Sequence, residues 1–158
     1  MILIGHDKDA FVFQLAAREK LLLLELLKAY PQTPPSQRLV SKSTQLPDQP
    51  TSQRLLDEAL AEQRTENKRK LHTLLNDPHR WQAQQNHWHL RLSSSDLEWM
   101  LQVLNDIRVG TWVELGSPEQ WSEMISPEKT PHVWKMELAG AFQMAFLHAL
   151  EGSRGTEA

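Results

Sequence analysis

The chain has 158 residues, enough for one compact domain that buries roughly 70% of its unfolded surface, so neither disulfides nor a structural metal is needed for stability. It contains no cysteine, which excludes disulfides, thiolate nucleophiles, Cys-ligated zinc and iron–sulfur clusters together. A formal net charge of −3 provides no general attraction to nucleic acid or anionic lipid.

The opening residues, Met1 to Asp7, have no basic region ahead of a long apolar run and no small-residue cleavage site, which argues against a signal peptide. The densest apolar run, Leu21 to Leu27, is broken by Glu25 and falls short of the ~20 apolar residues of a membrane span. A cytoplasmic protein that does not enter the membrane is the expectation.

In chain order, Ile2-Leu3-Ile4 reads as a short strand. A first helix is expected from about Lys8 to Ala29, with Asp7 and Asp9 as caps, Val12, Leu15, Ala16, Leu22, Leu23 and Leu26 at helical spacing, and Pro31 as its end. Residues 31–50 hold five prolines among many Ser, Thr and Gln, and read as a connector. A second helix, about Ser52 to Asn76, carries Leu56, Leu60, Leu71, Leu74 and Leu75. Its middle, Gln63 to Lys70, is wholly polar, so that part belongs on the surface or projects. Trp88, Leu90 and Leu92 alternate with His87, His89 and Arg91 as in a strand, whose expected partner is Ile2-Leu3-Ile4 in a two-stranded antiparallel ribbon.

Ser93-Ser94-Ser95-Asp96 has the spacing of a capping box in its acidic form and opens a third helix to about Leu115, with Gly116 as its stop. Ser117-Pro118-Glu119 starts a short turn carrying Trp121. Thr130-Pro131 is a cap followed by proline at the first helical position, launching a last helix to Glu151 that Gly152 closes. The expected fold is thus mainly α: a four-long-helix bundle with a small two-stranded ribbon, one helical domain over 1–152 and a flexible tail over 153–158.

On a helical wheel Arg108 falls within about 20° of Leu97, on the apolar face of the third helix, and Glu19 falls among Leu15, Leu22, Leu23 and Leu26 on the first. A charge withdrawn from water needs a partner, so Glu19 and Arg108 read as a buried bidentate pair that locks helix register, or alternatively as a polar site inside the bundle. Asn105 and Asp106 read as flanking, polar-side residues. Seven histidines raise the question of a metal. His87 and His89 form an H-x-H pair, with His72 and His79 nearby in sequence, but no third ligand stands at a recognisable spacing; they read as the wet side of the ribbon, and no metal or other cofactor is assigned. Lys68-Arg69-Lys70 with Arg64 is matched by Glu58, Glu62 and Glu66 at helical offsets, which points to intrahelical pairing rather than nucleic acid. No phosphate loop, nucleophile elbow or H-E-x-x-H sequence is present, and the chain reads as a non-enzyme.

The last helix is apolar nearly all round. Leu138, Phe142, Ala145, Phe146 and Ala149 form one face; Met136, Gly140, Met144 and Leu147 form a second. Such a helix is either central in the bundle or covered by a partner, and a homodimer would supply one. Six tryptophans favour core and contact surfaces over catalysis, with Trp99 the candidate exposed anchor.

Leu21 to Pro31, then Leu90 to Ser93, Asp96 to Trp99, Leu104-Asn105-Asp106-Ile107-Arg108 and the Leu115-Gly116 step resemble an uncharacterised bacterial family, a domain of unknown function best represented in actinobacteria. Its genes often lie beside that for the adaptor of the ATP-dependent Clp protease. The resemblance spans most of the chain and is sharpest at the N-D-x-R sequence of the third helix. It implies a helical fold, a regulatory context and a glutamate and arginine that map onto Glu19 and Arg108; it implies no activity. Glu114 stands where relatives tend to carry an arginine. Together these readings lead to a non-enzymatic protein-binding or regulatory module that self-associates, with a small-molecule or anion site near Arg108 as the alternative.

Overall fold

The structure, a computed structural model, describes residues 1–7, 9–32 and 49–156. Its elements run β1 (Ile2–His6), β2 (Phe11–Ala16), α1 (Ala17–Leu27), α2 (Gln49–Asn76), β3 (Trp81–Ala83), β4 (His87–Leu92), α3 (Ser94–Glu114), a single 3₁₀ turn (Trp121–Met124) and α4 (Thr130–Thr156). All but the ends of the expected 31–50 connector lie outside the described residues.

Among the described residues four helices are present, but the expected bundle with a two-stranded ribbon is not. The strands form a four-stranded antiparallel sheet in the order β1-β2-β4-β3. Ile2-Leu3-Ile4 pairs with β2 rather than β4, and β2 pairs with β4 from Phe11↔Leu92 to Ala16↔His87. Residues 11–16 were expected at the start of a helix. Phe11, Phe13 and Leu15 are fully buried while Val12 and Gln14 are only half-buried, so the period is 2. Val12 and Ala16 are apolar too, and six residues apolar at five positions satisfy a helical template as readily as a strand.

Local chemistry explains the early boundaries. Asp7 does not cap a helix; its Oδ1 accepts from the backbone N–H groups of Asp9 and Ala10 at 3.0 and 2.9 Å, and its own N–H reaches the Ala10 carbonyl, folding the β1–β2 hairpin. The register slips between Leu3 and Gly5, a bulge in β1. α1 then starts at Ala17, where Glu19 Oε2 accepts the Ala16 backbone N–H at 3.1 Å and stands in for an N-cap side chain.

The third helix begins as expected. Ser93 Oγ accepts from the Asp96 N–H at 3.1 Å, Asp96 Oδ2 accepts from the Ser93 N–H at 3.0 Å, and Gly116 follows the helix with φ +88°. The last helix does not stop at Gly152 but continues to Thr156. An interior glycine costs about 1 kcal/mol, which weakens a helix without ending it. Part of the expected flexible tail is therefore helical.

One core lies between the inner face of the sheet and the helices. Phe13 meets Phe146 of α4 edge to face, with ring centroids 5.2 Å apart, and Leu23, Leu27, Leu90, Leu92, Leu97, Met100, Leu104 and Ile107 are fully buried with them. α2 is attached chiefly through its second half. Leu71 and Leu74 are buried, whereas Leu55 and Leu56 near its start are exposed, and its polar middle is largely solvated. Asn67 joins it to the body, donating from Nδ2 to the Tyr30 hydroxyl at 3.0 Å and accepting the Trp99 Nε1–H at 3.2 Å.

Candidate functional site

α3 and α4 pack along their length, and their solvent side encloses an open groove of about 630 Å³. From α3 it is lined by Arg108, Val109 and Trp112; from α4 by Met136, Glu137, Gly140, Ala141 and Met144. Trp112 is 40% exposed and Met144 51%, and Leu147 continues the strip one turn further along α4 at 39%. Gly140 lies at the floor beside the Arg108 stem: a β-carbon built there would lie 3.9 Å from Arg108 Cδ, ordinary contact distance. The groove thus gathers Arg108 and three of the four residues read from the sequence as an interaction surface, Met136, Gly140 and Met144, with Leu147 just beyond it.

α4 is not enclosed by the other helices. Its Ala139, Phe142, Phe146 and Ala149 face is buried, and its second face is left toward solvent. Glu114 Oε2 lies 3.3 Å from His132 Nδ1 and 3.8 Å from Lys135 Nζ, which brings the end of α3 to the start of α4. Trp112 Nε1 donates to the Pro118 carbonyl at 3.2 Å, which holds the indole over the groove.

The expected Glu19–Arg108 pair does not form. Glu19 is 40% exposed and its Oε1 lies 2.7 Å from the Met1 ammonium, with Oε2 on the Ala16 N–H. The Met1 ammonium, which also outweighs partial burial, holds the Glu19 carboxyl below its ordinary value. Arg108 is exposed in the groove and makes no ion pair among the described residues. Two errors of phase explain the difference. α1 starts at Ala17, so its wheel excludes Val12, Leu15 and Ala16. The buried face of α3 is centred on Met100, Val103 and Ile107, which puts Arg108 about 110° from its middle.

Trp99 is not an exposed anchor. It is 8% exposed, bonded to Asn67, and capped by Lys70, whose Nζ lies 4.7 Å from the ring centroid. α2 covers it. Asp106, expected on the polar flank, is buried and accepts the Gln32 backbone N–H at 2.8 Å. Within the basic cluster of α2, Arg69 pairs with Glu66 at 2.9 Å, as the helical offsets implied.

Two polar arrangements had no signal in single-residue spacing. Arg80 joins Asp77, at 3.3 Å, to Asp96 of the α3 capping box. Burial pushes the Asp96 carboxyl up, but the Ser93 N–H and the Arg80 guanidinium outweigh it and hold it below its usual value. Lys20 lies over Trp88, 3.1 Å from the ring centroid, and 4.9 Å from that of Trp81; burial lowers its pKa. Both arrangements join residues brought together by the sheet. On the outer sheet face, His87 Nε2 and His89 Nε2 are 3.2 Å apart. Among the described residues no group of three or more His, Asp or Glu side chains is gathered as a metal cage, and no helix is long and apolar enough to cross a membrane.

Compared with family models, curated proteins and solved structures, the chain matches none.

Proposed function

We propose that this chain is a non-enzymatic protein-binding or regulatory module that self-associates, with the α3–α4 groove as its docking surface and a second copy of the chain as its occupant. The observation that carries the reading is the concentration of exposed apolar side chains, Val109, Trp112, Met144 and Leu147, around a small-residue floor. Along α4 the solvent-facing positions Trp134, Glu137, Ala141, Met144 and His148 recur at alternating offsets of three and four, the spacing of a helix–helix seam.

About the Gly140–Ala141 midpoint this stretch of α4 is partly symmetric: Trp134 mirrors Leu147, and Glu137 mirrors Met144. Two copies of α4 crossing antiparallel there would set Trp134 of each toward Leu147 of the other, as a two-fold interface requires. Arg108 and Glu137 line the same groove without an ion pair among the described residues, so a second copy could offer each an opposite charge.

The test is the molar mass of the full chain by light scattering, expected at twice 18.3 kDa. Ala141→Glu and Met144→Glu are expected to give monomers with unchanged circular dichroism, since both residues are exposed. Arg108→Glu and Glu137→Arg should each weaken the dimer and the double swap restore it. A wild-type monomer at the highest soluble concentration refutes the reading. The alternative, a small anion held by Arg108, has the groove volume in its favour, which lies in the range of small-molecule pockets, and Glu137 in the same lining against it. Phosphate or carboxylate stabilisation that disappears in Arg108→Leu would select it. The resemblance of the helix-three sequence to a family with a protease-adaptor gene context makes regulation of proteolysis the setting we propose to examine first.

A further inference from the structure

We propose that His87 and His89 form a two-nitrogen site for a zinc-like divalent ion on the outer face of the sheet. They lie two residues apart on β4, so both side chains leave the same face. β4 is an interior strand, paired with β2 on one side and β3 on the other, which fixes the backbone beneath both rings.

The separation of the two Nε2 atoms is 3.2 Å. Two imidazole nitrogens on one tetrahedral zinc, each bonded at about 2.0–2.1 Å, stand about 3.3 Å apart. The rings therefore hold their donor atoms at nearly the spacing one ion demands. Without an ion, one Nε2–H donates to the other Nε2; an ion takes the place of that proton and leaves both Nδ1 atoms protonated. Among the described residues neither ring makes another side-chain hydrogen bond.

Nitrogen donors select zinc and its transition-metal neighbours over magnesium or calcium. Gln14 and Gln82 are the register partners of His89 on the same face, and they flank the ion position with neutral amides. Arg91 follows on that face, but its guanidinium is turned to Asp7 at 3.4 Å. Two protein ligands leave two tetrahedral positions for water or an incoming group, so the site is an open one. Among the described residues this is the one His–His contact; His132 lies beside Glu114, and His6 stacks against Phe11 with centroids 4.3 Å apart.

The experiment is a calorimetric titration of zinc chloride into the untagged full chain, with imidazole resonances followed in parallel. One ion per chain with micromolar affinity is expected, with the ring signals of His87 and His89 moving together. His87→Ala and His89→Ala should each weaken binding by about tenfold or more, while His79→Ala binds as wild type. Both rings are half-exposed, so the variants should keep the thermal midpoint of the zinc-free protein, which separates lost ligands from lost folding. Wild-type affinity in the double variant, or no binding at millimolar zinc, overturns the proposal.

Discussion

Replacing Asp96 with alanine removes one carboxylate that serves two partners. Asp96 is 6% exposed, accepts the Ser93 N–H at 3.0 Å, and pairs with Arg80, which also holds Asp77. Loss of the reciprocal half of the capping box costs about 1 kcal/mol. The charge-assisted bond to Arg80 is worth about 1.5–3 kcal/mol when buried, and the lower end applies because the Arg80 side chain is 30% exposed and water can replace the carboxylate. The sum is about 2–3 kcal/mol, or roughly 5–10 °C in thermal midpoint for a domain of this size. Asp96→Asn keeps an acceptor for the Ser93 N–H and should recover about half of that loss.

Urea unfolding of the three proteins at neutral pH measures the difference directly. The pH dependence gives an independent reading. The folded-state carboxyl titrates below its ordinary value, so its contribution is complete above the unfolded pKa and is lost as pH falls through the folded one. Below about pH 5 the wild type should therefore lose stability faster than Asp96→Asn, and the two curves should converge. If Asp96→Ala changes stability by less than about 0.5 kcal/mol, the Arg80–Asp96–Ser93 arrangement is not what joins β3 to α3.

Phe146→Ala should destabilise by about 3–5 kcal/mol in the same assay, because the ring is fully buried against Phe13. Asn67→Leu removes the partner of both Tyr30 and Trp99 and should release α2, read as protease cleavage between residues 49 and 76 with a smaller change in the thermal midpoint than Phe146→Ala. A double-mutant cycle between Glu19 and Arg108 should return a coupling below about 0.5 kcal/mol; a coupling of about 2 kcal/mol or more, as a buried pair would give, would restore the internal ion pair. Glu114→Arg should cost no more than about 1 kcal/mol, since its pairs with His132 and Lys135 are partly solvated.

Much of the helical content was legible because its signals are local. The Ser93–Asp96 box and the Gly116 stop act through neighbours within a turn, and α3 lies where those residues place it; α4 does begin at Thr130, but the Thr130 hydroxyl donates to the Ser126 carbonyl and does not cap it. The second apolar face of α4 was also readable, since a helix puts Met136, Gly140, Met144 and Leu147 on one side whatever surrounds it.

What only the tertiary structure decided was pairing and phase. A strand is defined by a partner distant in sequence, so Phe11–Ala16 took its identity from β1 and β4 on either side, not from its own six residues. That choice moved the start of α1 by about two turns, carried Glu19 to a helix cap, and separated it from Arg108. Likewise Trp99 is inside because α2 crosses it, and Arg108 is outside because the buried face of α3 turns toward α4 and the sheet. Propensity and capping depend on adjacent residues and can be read along the chain; burial depends on which surfaces meet, and here the insertion of β2 between β1 and β4 and the path of α2 settled it.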